Sequence, residues 1–160
     1  MNKIELIKTE RDGLKIKDDI HRFAKEGWES ISEEDIQRLK WYGLFLRNPT
    51  PGYFMLRVRI PNGFSFSHQV KALSLIAETY GNGLIDITTR QQVQLRHLKI
   101  ESIPQVFQLL EEVGLTSSQT GMDNVRNIMG CPVAGLNPKE KVDAYSLVKA
   151  LNEHIIGNPE

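Results

Sequence analysis

Apolar and polar positions alternate over residues 54–60: Phe54, Leu56, Val58 and Ile60 fall on one parity, Arg57 and Arg59 on the other. Side chains at i and i+2 share one face of a strand, so this stretch predicts a strand with an apolar and a cationic face. Pro61-Asn62-Gly63 ends it. The period then lengthens. Val70, Leu73, Ile76, Ala77 and Tyr80 recur at helical spacing, with Ser67 as the expected cap and Gly81 at the C-terminal end. Alternation returns over residues 84–98, with Ile85, Ile87, Val93 and Leu95 on one parity. Asp86, Thr88, Arg90, Gln92, Gln94 and Arg96 take the other. This is either one long bent strand or two strands joined near Thr89-Arg90-Gln91, where no Gly, Asn or Pro marks a tight turn.

Ser102 and Gln105 form a capping-box pattern with Pro104 in the first turn. The helix they open carries Val106, Phe107, Leu110 and Val113, and Gly114 closes it. The order β-α-β-α predicts an α+β, ferredoxin-like unit, one sheet covered by helices. Ahead of it the chain is polar and helical in character. A short helix spans residues 18–24 and ends at Gly27; a second opens at Ser32 and Asp35 and runs through Ile36, Leu39 and Trp41. This N-terminal region reads as an arm that must pack on something else. Asn48-Pro49-Thr50-Pro51-Gly52 is a break. Residues 115–136 show no period and are rich in Gly, Ser, Asn and Asp; a long stretch of this kind in a compact protein is often functional. Val142, Leu147, Val148, Leu151 and Ile155 predict a last helix over residues 139–156.

The composition, 40% hydrophobic and 25% charged over 160 residues, is that of a globular domain. Twenty basic and twenty acidic residues give zero formal net charge, which argues against a dedicated nucleic-acid binder and leaves room for a local cationic pocket. The single cysteine, Cys131, excludes a disulfide framework, and also an iron–sulfur or structural zinc site ligated by this chain's cysteines alone. No apolar run is long enough to span a membrane. Met1-Asn2-Lys3-Ile4-Glu5 lacks the look of a secretory or transit peptide, so a cytoplasmic protein is expected. The four histidines are scattered and form no ligand pair; His97 shares the apolar parity of its strand and reads as packed or edge. No metal site is expected.

Two features could carry chemistry. A sheet face bearing Arg57, Arg59, Arg90, Gln94 and Arg96 is cationic where strands prefer β-branched or aromatic residues. It is either a solvated face with helices on the other side, or an anion site in which rigid guanidinium forks grip carboxylates or oxyanions. The loop Gly121-Met122-Asp123-Asn124-Val125-Arg126-Asn127 either brings its backbone close to a ligand or is an ordinary Asx-turn connection.

Three blocks then carry a resemblance. Leu39-Lys40-Trp41-Tyr42-Gly43-Leu44-Phe45 leads into Pro51-Gly52-Tyr53-Phe54-Met55-Leu56-Arg57-Val58-Arg59-Ile60-Pro61-Asn62-Gly63. Asp86-Ile87-Thr88-Thr89-Arg90-Gln91-Gln92-Val93-Gln94-Leu95-Arg96 is the second. The third is Gly114-Leu115-Thr116-Ser117-Ser118-Gln119-Thr120-Gly121-Met122-Asp123-Asn124-Val125-Arg126-Asn127, followed by Pro132-Val133-Ala134-Gly135. In this order the blocks resemble the N-terminal part of ferredoxin-nitrite reductases, within the sirohaem nitrite/sulfite reductase family.

The resemblance implies an oxidoreductase of nitrate assimilation that reduces nitrite to ammonium in a six-electron reaction, with reduced ferredoxin as donor. Its cofactors would be a sirohaem and a 4Fe-4S cluster. Arg57 and Arg126 would hold the anionic substrate. Arg90 and Gln94 would bind sirohaem carboxylates, joined by Arg59, Thr89, Arg96 and Asn127. Three parts are implied: a helical arm over 1–47, a ferredoxin-like half domain over 48–116, and the start of a sirohaem/4Fe-4S domain over 117–160. The cluster cysteines lie in the family's C-terminal half and are absent here, so this chain alone is expected to be inactive without that half. The rival readings are a sulfite reductase of the same family and a non-catalytic ferredoxin-like binding or regulatory module.

Overall fold

The structure, a computed structural model, describes residues 3–158. Among the described residues there are six α-helices and four strands: α1 (Lys3–Glu10), α2 (Ile20–Glu26), α3 (Glu33–Leu39), β1 (Leu44–Arg47), β2 (Thr50–Val58), α4 (Ser67–Tyr80), β3 (Ile85–Ile87), β4 (Val93–Leu98), α5 (Ile103–Glu112) and α6 (Tyr145–Ile155). The fold is α+β, with one antiparallel sheet in the order β1-β2-β4-β3.

The pairing register explains why one face is apolar. Leu44 pairs with Leu56, Leu56 with Leu95, and Leu95 with Ile85, so a single row of branched apolar side chains crosses all four strands. The next row, Arg57, Gln94 and Asp86, is polar and points the other way. Helices α4 and α5 close the apolar face through Leu73, Ile76, Ala77, Ile103, Val106 and Leu110, all buried. The arm completes this core: Ile16, Ile20 and Phe23 are buried in the same cluster, with α2 against α5.

One strand expectation changes and an open one is decided. Residues 44–47 form a strand, so the sheet reaches back into the stretch read as arm. Residues 84–98 divide into the hairpin β3–β4, with Gln91 at φ 57 taking the left-handed position usually given to Gly or Asn. The Thr88 backbone N–H donates to the Gln92 carbonyl at 2.9 Å, and the Thr88 hydroxyl accepts from the Gln92 N–H at 3.1 Å. A side chain thus closes the turn. Where Phe54 pairs with Leu98 but Leu56 with Leu95, β4 carries one extra residue. His97 absorbs this bulge at φ 59, exposed, with its ring 5.6 Å from Tyr53 rather than packed inward.

The caps are mixed. The Ser32 hydroxyl accepts from the Asp35 N–H at 3.1 Å, as the pattern predicts. Ser67 is instead the first residue of α4, and Gln69 Oε1 accepts from the Phe66 N–H at 3.0 Å. Ser102 caps nothing; its hydroxyl donates to the Lys99 carbonyl at 2.8 Å. The last helix begins at Tyr145, six residues later than its period suggests. No helix is long and apolar enough among the described residues to cross a membrane.

Candidate functional site

A loop, residues 116–130, lies over the polar face of the sheet. It starts with an antiparallel bridge, the Arg59 N–H donating to the Thr116 carbonyl at 2.8 Å. It passes close enough to β1 that side chains would clash. A Cβ on Gly43, which sits at φ 71, would fall 2.4 Å from Thr120 Oγ1 and 2.6 Å from the Arg57 carbonyl. One on Gly121 would fall 2.2 Å from the Lys40 carbonyl. Both positions therefore need glycine.

Beneath this loop the two β2 arginines part ways. Arg57 is half-buried, with Nη1 donating to the Thr120 carbonyl at 3.0 Å and its guanidinium 4.7 Å from the centre of the Phe45 ring. Burial, then the charges of Arg126 and Arg90, hold its pKa below the ordinary arginine value. Arg59 is only 1% exposed. Its donors reach the carbonyls of Ser118 (3.3 Å), Gln119 (2.7 Å) and Val125 (2.7 Å), and Asn152 Oδ1 (3.1 Å). Burial pulls its pKa down to about 10.

The β3–β4 turn clamps the far end of the loop. Gln92 Nε2 donates to the Arg126 carbonyl at 3.2 Å, and Gln92 is buried. Gln91 holds the Gly130 backbone at both ends, Nε2 to the carbonyl and Oε1 from the N–H, each at 3.1 Å. Asn127 Nδ2 donates to the Ile60 carbonyl at 2.9 Å and to the Arg90 carbonyl at 2.8 Å. Its Oδ1, like that of Asn62, is buried without a hydrogen-bond partner. Asn62, Gln91, Gln119 and Met122 all hold positive φ around this face. Such backbone strain in non-glycine residues clusters at functional sites.

The expected site residues therefore divide. Arg57, Arg90 and Arg126 come together electrostatically, and among the described residues the Arg90 and Arg126 side chains have neither a hydrogen bond nor an ion pair. Arg96 pairs with Asp86 across the hairpin and donates to Gln94 Oε1 at 3.2 Å. Thr89 is exposed at the turn. Arg59, which sequence parity had grouped with Arg57, and Asn127, which the resemblance had assigned to the sirohaem, turn their donors inward, onto backbone carbonyls and, for Arg59, also Asn152. Gln91, Gln92 and Thr120 are structural members of this face that were not named as site residues; parity had placed Gln92 on the polar side of its strand, while Gln91 and Thr120 carried no signal beyond their polarity. Alongside Arg57 an open groove is lined by Lys40, Phe45, Arg47 and Met55. Among the described residues no three of His, Cys, Asp or Glu could jointly hold a metal ion, and Cys131 is exposed and alone. The chemistry on offer is anion binding: Arg57, Arg90 and Arg126 bring like charge to one face, and among the described residues none of the three has a carboxylate partner.

Residues 47–113 match the model of the nitrite/sulfite reductase ferredoxin-like half domain. The chain is 48% identical over 162 residues to the ferredoxin–nitrite reductase of Leptolyngbya laminosa, covering 100% of this chain and 32% of that protein. It is 50% identical over 157 residues to that of Synechococcus elongatus, covering 97% and 31%. Among solved structures, the Mycobacterium tuberculosis NirA protein superposes with a TM-score of 0.92 at 27% identity, covering 99% of this chain and 32% of that one. The chain thus spans about a third of the length of the curated relatives it matches.

Proposed function

The chain belongs to the nitrite/sulfite reductase family, whose ferredoxin-like half domain it carries, and on that premise we propose that it forms the anion-binding part of a ferredoxin-dependent nitrite reductase. The reaction is the six-electron reduction of nitrite to ammonium, with reduced ferredoxin as donor, in the cytoplasm. The observation that carries this reading is the set Arg57, Arg90 and Arg126: three cations near enough for two to depress the pKa of the third, none neutralised by an acid. A polycarboxylate and a small oxyanion supply what this face lacks.

The residues fit a sirohaem. Arg90, Gln94 and Thr89 would take its carboxylates, with Arg96 held ready by Asp86. When bound, sirohaem with its 4Fe-4S cluster would relay the electrons from ferredoxin and supply an iron for the substrate, and the cluster's cysteine ligands would come from the remainder of the enzyme. Arg57 and Arg126 hold the nitrite oxygens and orient the anion. As negative charge and hydrogen-bond demand grow on those oxygens, the same guanidinium donors strengthen their bonds without reorganising. The loop and its clamps cover Arg59 and leave Arg57 half open to the groove beside it. With β1 counted to the sheet, residues 1–43 serve as the arm, 44–116 as the half domain, and 117–160 as the start of the domain that completes the site.

The test is an absorption spectrum and an assay of this chain co-expressed with sirohaem biosynthesis, alone and with the remaining two thirds of a relative supplied in trans. Haem bands and nitrite-dependent oxidation of reduced ferredoxin, seen only with the second part present, support the proposal. Turnover of sulfite in preference to nitrite would reassign it within the family. A colourless, folded protein under both conditions would leave a non-catalytic anion-binding module.

A further inference from the structure

We propose that Arg59 is a positioning residue, whose buried guanidinium sets Arg126 against Arg57; this rests on the anion-site reading above. Arg59 is a cation without a counter-ion. Among the described residues its partners are three carbonyls and one side-chain amide, and it is 1% exposed. Replacing a buried charge by an apolar side chain of similar volume is often neutral or stabilising, so stability alone does not account for it.

Geometry does. The guanidinium is a flat, rigid fork, so the carbonyls it binds are fixed in direction as well as distance. Two of them, at Ser118 and Gln119, precede Thr120, whose carbonyl accepts from Arg57. The third, at Val125, lies one residue before Arg126. On the other side of Arg126, Gln92 holds its carbonyl and Asn127 is tied to Arg90. Arg126 is thus pinned between Arg59 and the turn, while its own side chain stays unpaired. Two arginines two residues apart on one strand divide the labour: Arg57 meets the anion, and Arg59 builds the loop that brings the second cation to it. Asn152 on α6 completes the fork, so the helix after the loop bears on the same guanidinium.

The experiment uses this chain, alone and with the remaining two thirds of a relative supplied in trans, and uroporphyrin, a metal-free porphyrin polycarboxylate, with binding read by fluorescence anisotropy for wild type, R59M, R59K, R126M and R59M/R126M. R59M should weaken binding by about tenfold, the scale of losing a residue that orients a ligand-binding group. R59K should not rescue, because an ammonium lacks the fork. The double variant should bind no more weakly than R126M, since Arg59 acts through Arg126. Equal binding by R59M and wild type, or losses that multiply in the double variant, would overturn the assignment. Should R59M fail to fold by circular dichroism, R59K carries the same expectations. If wild type ignores uroporphyrin both alone and with the remaining two thirds of a relative supplied in trans, the anion-site reading falls, and amide hydrogen exchange then decides on Arg59 alone. Faster exchange confined to residues 118–126 in R59K sustains the pinning; an unchanged pattern refutes it.

Discussion

The two faces of the sheet are held down by different physics. On one, Leu44, Leu56, Leu95 and Leu98 are fully buried under helices, and what holds them is apolar area and close packing. On the other, a loop lies over arginines that grip its carbonyls, four nearby non-glycine residues sit at positive φ, and two asparagine oxygens are buried unpaired. The first face contributes stability. The second carries strain and unneutralised charge, which stability alone does not select for, and that asymmetry marks the candidate site better than any single residue does.

The contrast breaks if the faces respond alike to substitution. Leu56→Ala, in the middle of the apolar row, should cost about 2–5 kcal/mol of unfolding free energy in a urea titration, as for other core truncations. Gly43→Ala should cost less, about 2 kcal/mol, from a left-handed backbone and a Cβ pressed on Thr120 and the Arg57 carbonyl. Its effect should concentrate on the loop, so uroporphyrin binding falls further than stability does. Arg57→Met should leave unfolding within about 1 kcal/mol of wild type, because it removes a half-buried cation repelled by two others. The same variant should weaken uroporphyrin binding at least about tenfold. A large stability loss in R57M would mean that the arginine face is structural after all.

How much of this was legible follows from what a period can encode. Alternation over 54–60 and 84–96 located β2, β3 and β4, because strands with one buried face must alternate. It missed β1, since Leu44-Phe45-Leu46 is a continuous apolar run that prolongs the helical stripe of Leu39 and Trp41. It left the β3–β4 turn open because Gln91, rather than Gly or Asn, occupies the left-handed position. At the site, parity placed Arg57 and Arg59 together, and they do share a face. What separates them is a loop sixty residues away in sequence, which covers one and leaves the other half open. Parity reports direction, not what lies in that direction. Parity set Arg57 and Arg90 on the cationic face and the resemblance added Arg126, together with Thr89 and Asn127; the contacts that Gln91, Gln92 and Thr120 make with the loop and with Arg57 are visible only once the chain is folded.

The smallest effect sharpens the comparison through pH. Asp19, beside α2 on the helix side, feels burial pushing its carboxyl up, but Arg11 and Arg22 outweigh it and the net pKa is lowered. A carboxylate with a depressed folded-state pKa contributes stability above its unfolded value, and that contribution is lost as pH falls through the folded value. Asp19→Asn should therefore lower stability by under about 1 kcal/mol at pH 7, and the gap to wild type should close between pH 4 and the acid unfolding limit. Arg59 obeys the opposite sign. Its pKa is pulled down to about 10, so below that value it is protonated in both folded and unfolded chains, and its cost is constant. Arg59→Met should then shift the whole stability curve between pH 5 and 8 without changing its slope. A slope that changed in R59M but not in D19N, followed by thermal unfolding across that range and into acid, would place the titrating groups on the wrong face of the sheet.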